Sequence, residues 1–306
     1  MNIIKSNNKE NLFIILLFFF FTIIRFLLAN FNKVITVYPD ELYYYDIARS
    51  LFHGNGITSR GLPLNFQKIA YSIVILPTFA IKNVFLRHSF IALINSILMN
   101  LSAVLLFFIS KKTRLKTAYQ NLLVLLTLIM PDMCFSMTFM SENLYWPLFL
   151  GFILYWLKTV YTNQKKDSIL LGILCYFCYL CKEISLALLL AYILFEFTEQ
   201  LFIEKSFNRK RFLKLVIFLI SFSVCYLFFK IIFFRAIGNL YLGSLNHNFS
   251  VYKFLYMCYA FFVFISAILI STLFFPIISP ILHYRLLNDS IKKLLVFILS
   301  FLLQYL

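Results

Sequence analysis

Six carboxylates stand where polar sequence meets apolar sequence: Asp40, Glu41, Asp46, Asp132, Glu142 and Glu183. A carboxylate can take a proton from a hydroxyl as a general base, or hold a cation through its oxygens. An acid at a membrane boundary is costly unless partnered, so it is a functional candidate by default. Plainer roles stand beside these. Pro39 and Asp40 mark a helix start, where Asp40 can cap or complement the helix dipole. Glu142 opens an apolar run and suits a first turn for the same reason. Spacing alone does not bring Asp40 and Glu142 together.

The elements that must position these acids are set by an apolar composition. The 306 residues are 62% hydrophobic and 13% charged, with 39 Phe. An ordinary soluble domain carries about 25% charged residues. So much apolar surface calls for lipid as solvent, where helices satisfy their own backbone hydrogen bonds. The apolar runs are continuous rather than alternating, which argues against a β-barrel. The expected fold class is an all-α polytopic integral membrane protein, a single membrane domain over 1–306. No small-residue cleavage site follows the first run, which therefore reads as a retained helix. Usage rich in Phe, Ile, Lys and Asn points to an AT-rich bacterial genome.

Apolar runs fall at 12–30, 67–82, 88–109, 118–133, 143–157, 169–180, 186–202, 212–234, 254–278 and 291–306. The run at 67–82 is short and holds Pro77. If it does not span and the N-terminus is cytoplasmic, then Lys111, Lys112, Lys116, Lys165, Lys166 and Arg209–Arg211 all fall inside. If it spans, they move outside, against the positive-inside rule. The run at 67–82 therefore reads as an interfacial or re-entrant helix, leaving about nine spanning helices. Residues 31–87 become one long outer segment, with a second interfacial helix at 40–53. Further outer features are the turn at 132–142, the turn around Lys182 and Glu183, and the loop at 235–253. Loops of such length are usually functional. Leu42, Tyr45, Ala48, Arg49 and Phe52 form a face of helix 40–53 that can lie in the interface, and Tyr43, Tyr44 and Tyr45 suit the headgroup level.

Other residues carry blander readings. Cys175, Cys178 and Cys181 share a three-residue spacing but lie in an apolar helix with no further ligand beside them, so they read as small hydrophobes. His53 ends the polar helix. Arg25 lies inside the first helix, to pair with an acid or to snorkel. The net charge of +16 does not imply nucleic acid, because the basic residues sit between apolar runs; anionic membrane lipids are the expected partners.

The order of these features resembles the GT-C superfamily of polyprenyl-phosphate-sugar-dependent glycosyltransferases, the glycosyltransferase family 39-like group with the aminoarabinose transferases and protein O-mannosyltransferases. The resemblance runs over about residues 10–200. It is carried by "DELYYYDIARSL" after the first helix, the Pro-containing interfacial run, "FLRHSFIALINSIL", "SENLYWPLF" and "YLCKEISLALLL". It implies a GT-C-like bundle in the bacterial plasma membrane that moves a sugar from a polyisoprenyl phosphate to an acceptor hydroxyl, inverting the anomeric centre. The acceptor would be a lipid, a glycan or a protein. Asp40 is then the matched general base, with Glu41 and Glu142 as further catalytic candidates. Arg87, Lys182 and Tyr44 become substrate contacts, the first two toward phosphate. A divalent metal, where one is used, would be held by Asp40 and Glu142. Members are often longer, so the resemblance implies a compact or truncated member whose acceptor-receiving part is reduced. Two rival classes remain: a transporter or lipid-linked saccharide flippase, and a non-catalytic scaffold. The scaffold predicts that Asp40, Glu41 and Glu142 lie far apart.

Overall fold

The computed structural model describes residues 8–31, 39–64, 68–113, 115–130, 135–161, 164–198, 200 and 208–232. Asp132, the loop at 235–253 and the runs at 254–278 and 291–306 lie outside them. Nine helices are described: α1 Asn8–Phe31, α2 Pro39–Phe52, α3 Ala70–Ile75, α4 Val84–Lys112, α5 Thr117–Ile129, α6 Glu142–Tyr161, α7 Lys165–Cys181, α8 Leu186–Thr198 and α9 Arg209–Ile232. The described strands, β1 Thr58–Ser59 and β2 Leu62–Pro63, form one short antiparallel hairpin. Its turn places Arg60 and Gly61 at φ 53° and 79°, the left-handed conformation that tight hairpins need.

The described residues fall into two compact units. One draws on 1–185 and 216–237, the other on 186–215 and 238–306. Three helices are long and apolar enough to cross a membrane: 11–31, 84–112 and 209–232. The expected count of about nine spanning helices is not reached among the described residues, and two of the expected spans lie outside them. α5 and α8 have 13 residues each; at 1.5 Å per residue that is about 20 Å, short of the ~30 Å hydrocarbon core. The run at 67–82 is not one continuous α-helix. It forms α3 and then a 3-10 turn over Leu76–Ala80, with Pro77 in its first turn.

In the first unit α4 is central, packing against α1, α5 and α6, while α6 also packs on α7. Asn83 caps α4 by accepting from the Leu86 N–H at 3.1 Å, and Lys111 and Lys112 close its last turn. Both suit the helix dipole and its unsatisfied ends. Polar side chains tie the helices together. Asn100 Nδ2 donates to Thr22 Oγ1 at 2.8 Å and Ser89 Oγ to Asn30 Oδ1 at 2.5 Å. Arg25 donates to the Leu128 carbonyl at 2.5 Å, satisfying an end carbonyl of α5.

These bonds settle which helix ends lie together. Asn30 and Ser89 join the end of α1 to the start of α4, and Lys111 reaches Asn11 at the opposite end at 3.4 Å. The ends of α1, α5 and α7 and the starts of α4 and α6 gather at one end, with α2 across them. Lys111, Lys112, Lys158, Lys165 and Lys166 gather at the other.

Candidate functional site

Helix α2 delivers the first acids. Pro39 supplies a fixed φ where no N–H is needed, and Asp40 and Glu41 occupy the positive first turn. Gly54 and Gly56, both at φ 75°, follow its end. The side that packs inward is Glu41, Tyr44, Ile47 and Ala48. Leu42, Arg49 and Phe52, from the face expected to meet the interface, are exposed; Tyr45 is half-buried and Ala48 buried. Asp40 is half-buried, whereas Glu41 is 1% exposed.

Tyr44 is the link to the second acid. It is buried, and its hydroxyl donates to Ser141 Oγ at 3.0 Å. Ser141 Oγ in turn donates to Glu142 Oε2 at 3.4 Å. Lys182 Nζ donates to the other oxygen, Oε1, at 2.5 Å. Burial pushes the Tyr44 phenol well above its ordinary range; the Ser141 bond opposes this, while the charges of Asp40 and Glu142 add to it. Both carboxylates therefore act on one phenol, which stays a hydrogen-bond donor at neutral pH.

Lys182 owes its position to the end of α7. Its backbone turns extended, at φ −149° and ψ 129°, while its N–H still bonds the Cys178 carbonyl at 2.9 Å. Ser185 Oγ takes the same carbonyl at 2.9 Å. The side chain then crosses to the first turn of α6, where an ammonium finds Glu142. Glu183 lies in the 3-10 turn Glu183–Ser185.

A rigid polar floor lies under Glu41 and Tyr44. Tyr71 packs edge-on against Tyr44, with ring centroids 5.5 Å apart. Its hydroxyl donates to Asn95 Oδ1 at 3.0 Å, and Asn95 Nδ2 donates to the Thr138 carbonyl at 2.9 Å. Asn143 Nδ2 gathers the carbonyls of Phe135, Thr138 and Met140 within 3.0 Å. Burial raises the Tyr71 phenol, and the charge of Glu41 adds to this. These asparagines hold the 135–141 turn against α4 and so fix Ser141 and Glu142.

The structure brings Asp40, Glu41, Tyr44, Glu142 and Lys182 into one neighbourhood. Arg87 goes elsewhere: Nη1 donates to Tyr45 Oη at 2.8 Å, and Nε and Nη2 donate to the Ile81 carbonyl at 3.1 and 2.8 Å. His53 and Arg87 line a cleft of about 670 Å³ with Arg49 and Lys82. Among the described residues, no three His, Cys, Asp or Glu side chains form a metal-holding group. Glu142 Oε1 accepts from the Lys182 ammonium and Oε2 from Ser141 at 3.4 Å, which leaves lone pairs of the carboxylate for a cation. A half-buried carboxylate can accept a proton from a hydroxyl, and the ammonium of the Lys–Glu pair can donate to an anion.

Reading the sequence missed Ser141, Tyr71, Asn95 and Asn143. A signal existed: Glu41, Tyr44 and Ala48 share a helical stripe, and Asn95 and Asn143 are amides inside apolar runs, where polar groups need partners. The chain matches no family model, no curated protein and no solved structure.

Proposed function

We propose that the chain is a membrane glycosyltransferase that moves a sugar from a polyisoprenyl phosphate to an acceptor hydroxyl on the extracytoplasmic face. The GT-C-like bundle and its placement in a bacterial plasma membrane belong to this same reading. One observation supports it above the others. Asp40 in the first turn of α2 and Glu142 in the first turn of α6 lie about 100 residues apart in sequence, and the Tyr44–Ser141 hydrogen bond joins their two helices, with Lys182 on Glu142. A scaffold has no need to place three acids at one helix junction of an otherwise apolar bundle.

In this reading Asp40, more accessible than Glu41, removes the proton from the acceptor hydroxyl. The acceptor oxygen bonds the anomeric carbon as the bond from that carbon to the phosphate oxygen breaks. The electron pair leaves with the phosphate, whose charge Lys182 balances, and attack opposite the leaving group inverts the centre. Tyr44 and Ser141 act as positioning residues that hold Glu142, and Glu142 aims Lys182. Glu41 adds negative charge beneath the site. A second reading, a non-catalytic membrane scaffold, draws support from the other ends of α6 and α7. There Lys158 and Asp167 make a similar pair at 3.1 Å.

The test is transfer from a panel of labelled polyprenyl-phosphate sugars by the intact chain in detergent, with and without chelator. Transfer from at least one donor is expected. Folded protein that uses none of them favours the scaffold.

A further inference from the structure

The cleft beside Arg87 has a composition unlike the acid cluster. Arg49, Lys82, Arg87 and His53 line it, and among the described residues no carboxylate does. Among the described residues neither Arg49 nor Lys82 has an ion-pair partner. Three N–H groups of Arg87 are committed to Tyr45 and Ile81, and its face lies 4.8 Å from the Phe79 ring. Those contacts hold the guanidinium rigid while leaving it donors to spare. Three cations gathered without an acid repel one another. The arrangement is relieved by an anion with several acceptor oxygens, and phosphate fits such donors.

The position of the cleft narrows the source of that phosphate. Val84, in its wall, is the first residue of α4, a helix long and apolar enough to cross a membrane. Val84 and Phe52, also in the wall, are 61% and 40% exposed, and Phe85 next to Val84 is 71% exposed. The cationic lining therefore sits where a crossing helix begins, the level of lipid headgroups, with apolar side chains on the flank where acyl chains would lie. We infer that the cleft formed by Arg49, Lys82, Arg87 and His53 seats the phosphate of an anionic membrane lipid. This site is separate from the acid cluster and does not rest on the transfer reading.

The experiment is native mass spectrometry of the full chain in detergent, titrated with dioleoyl phosphatidic acid, phosphatidylcholine or inorganic phosphate. Phosphatidic acid is expected to be retained in preference to phosphatidylcholine. The double variant Arg49→Gln/Lys82→Gln, which alters only exposed side chains, is expected to weaken that binding at least about tenfold, one to two charge-assisted contacts. Lys165→Gln/Lys166→Gln at the opposite end of the bundle is expected to leave it unchanged. Unchanged binding in the cleft variant would overturn the inference, as would an equal loss in the Lys165/Lys166 control. Inorganic phosphate that binds as tightly and displaces the lipid would overturn the lipid assignment and leave a soluble anion in its place.

Discussion

The hairpin of α6 and α7 is clasped at both ends by a lysine and a carboxylate, and the two clasps live in different company. At the basic end Lys158 meets Asp167 at 3.1 Å, and Tyr155 donates to the same Asp167 oxygen at 3.1 Å. Asp167 is fully buried, and Lys158 lies 4.8 Å from the Tyr155 ring. Every group there serves the join. At the other end Lys182 meets Glu142, but Glu142 keeps 14% of its side chain exposed and is linked through Ser141 to Tyr44 of α2. An ion pair alone says little about function. A second and third carboxylate across from it, on an element packed by a rigid asparagine floor, separates a candidate site from a clasp.

The sharpest way to break this contrast is to remove each lysine. Lys182→Met should lower sugar transfer by about 10²–10³-fold, as loss of one charge-stabilising donor does, while Lys158→Met should leave transfer per folded molecule unchanged. Side-by-side donor assays on the two variants check this; equal losses would make both ends clasps. Next in size is Gly172→Ala, which concerns the hairpin but neither pair. A Cβ at Gly172 would stand 2.6 Å from the Phe218 carbonyl oxygen. The substitution should cost about 1–3 kcal/mol of stability through overpacking, read as a lower thermal midpoint with transfer kept. Lys158→Met should cost about 1–2 kcal/mol by the same measure, because buried Asp167 loses a donor but keeps Tyr155.

The smallest effect belongs to Tyr44→Phe, about 0.5–1.5 kcal/mol for one lost hydrogen bond. Its pH dependence carries a sign. Burial raises the Tyr44 phenol above its unfolded value. Its contribution is thus fully present below about pH 10 and lost as pH rises beyond it. The gap in thermal midpoint between wild type and Tyr44→Phe should close above that pH. A gap that persists would mean that the phenol is not buried as a donor.

Most of the helical pattern was legible in the sequence. The runs at 12–30, 88–109 and 212–234 read as helices because a continuous apolar stretch has no other stable form in lipid, and Pro77 marked 67–82 as broken. The placement of α2 was legible from Pro39 at one end and Gly54 and Gly56 at the other. Its rotation about its own axis was not. Which face turns inward depends on what Tyr71, Asn95 and the 135–141 turn offer to it, and those are tertiary facts. Leu42, Arg49 and Phe52 of the expected interface face are exposed, but Ala48 from the same set turns inward, and the burial of Glu41 was not foreseen. The Lys182–Glu142 pair was hidden for a related reason, since 40 residues of chain separate two groups that meet only when α6 and α7 fold back on each other.

Transfer by Asp40→Asn, set against Asp167→Asn, tests the central claim most directly. The two variants remove one negative charge each from opposite ends of the same bundle, and both are assayed with labelled polyprenyl-phosphate sugar on folded protein. Loss of about 10²–10⁴-fold in Asp40→Asn, the worth of a general base, with transfer kept in Asp167→Asn, is the predicted result. Full transfer by Asp40→Asn would contradict it.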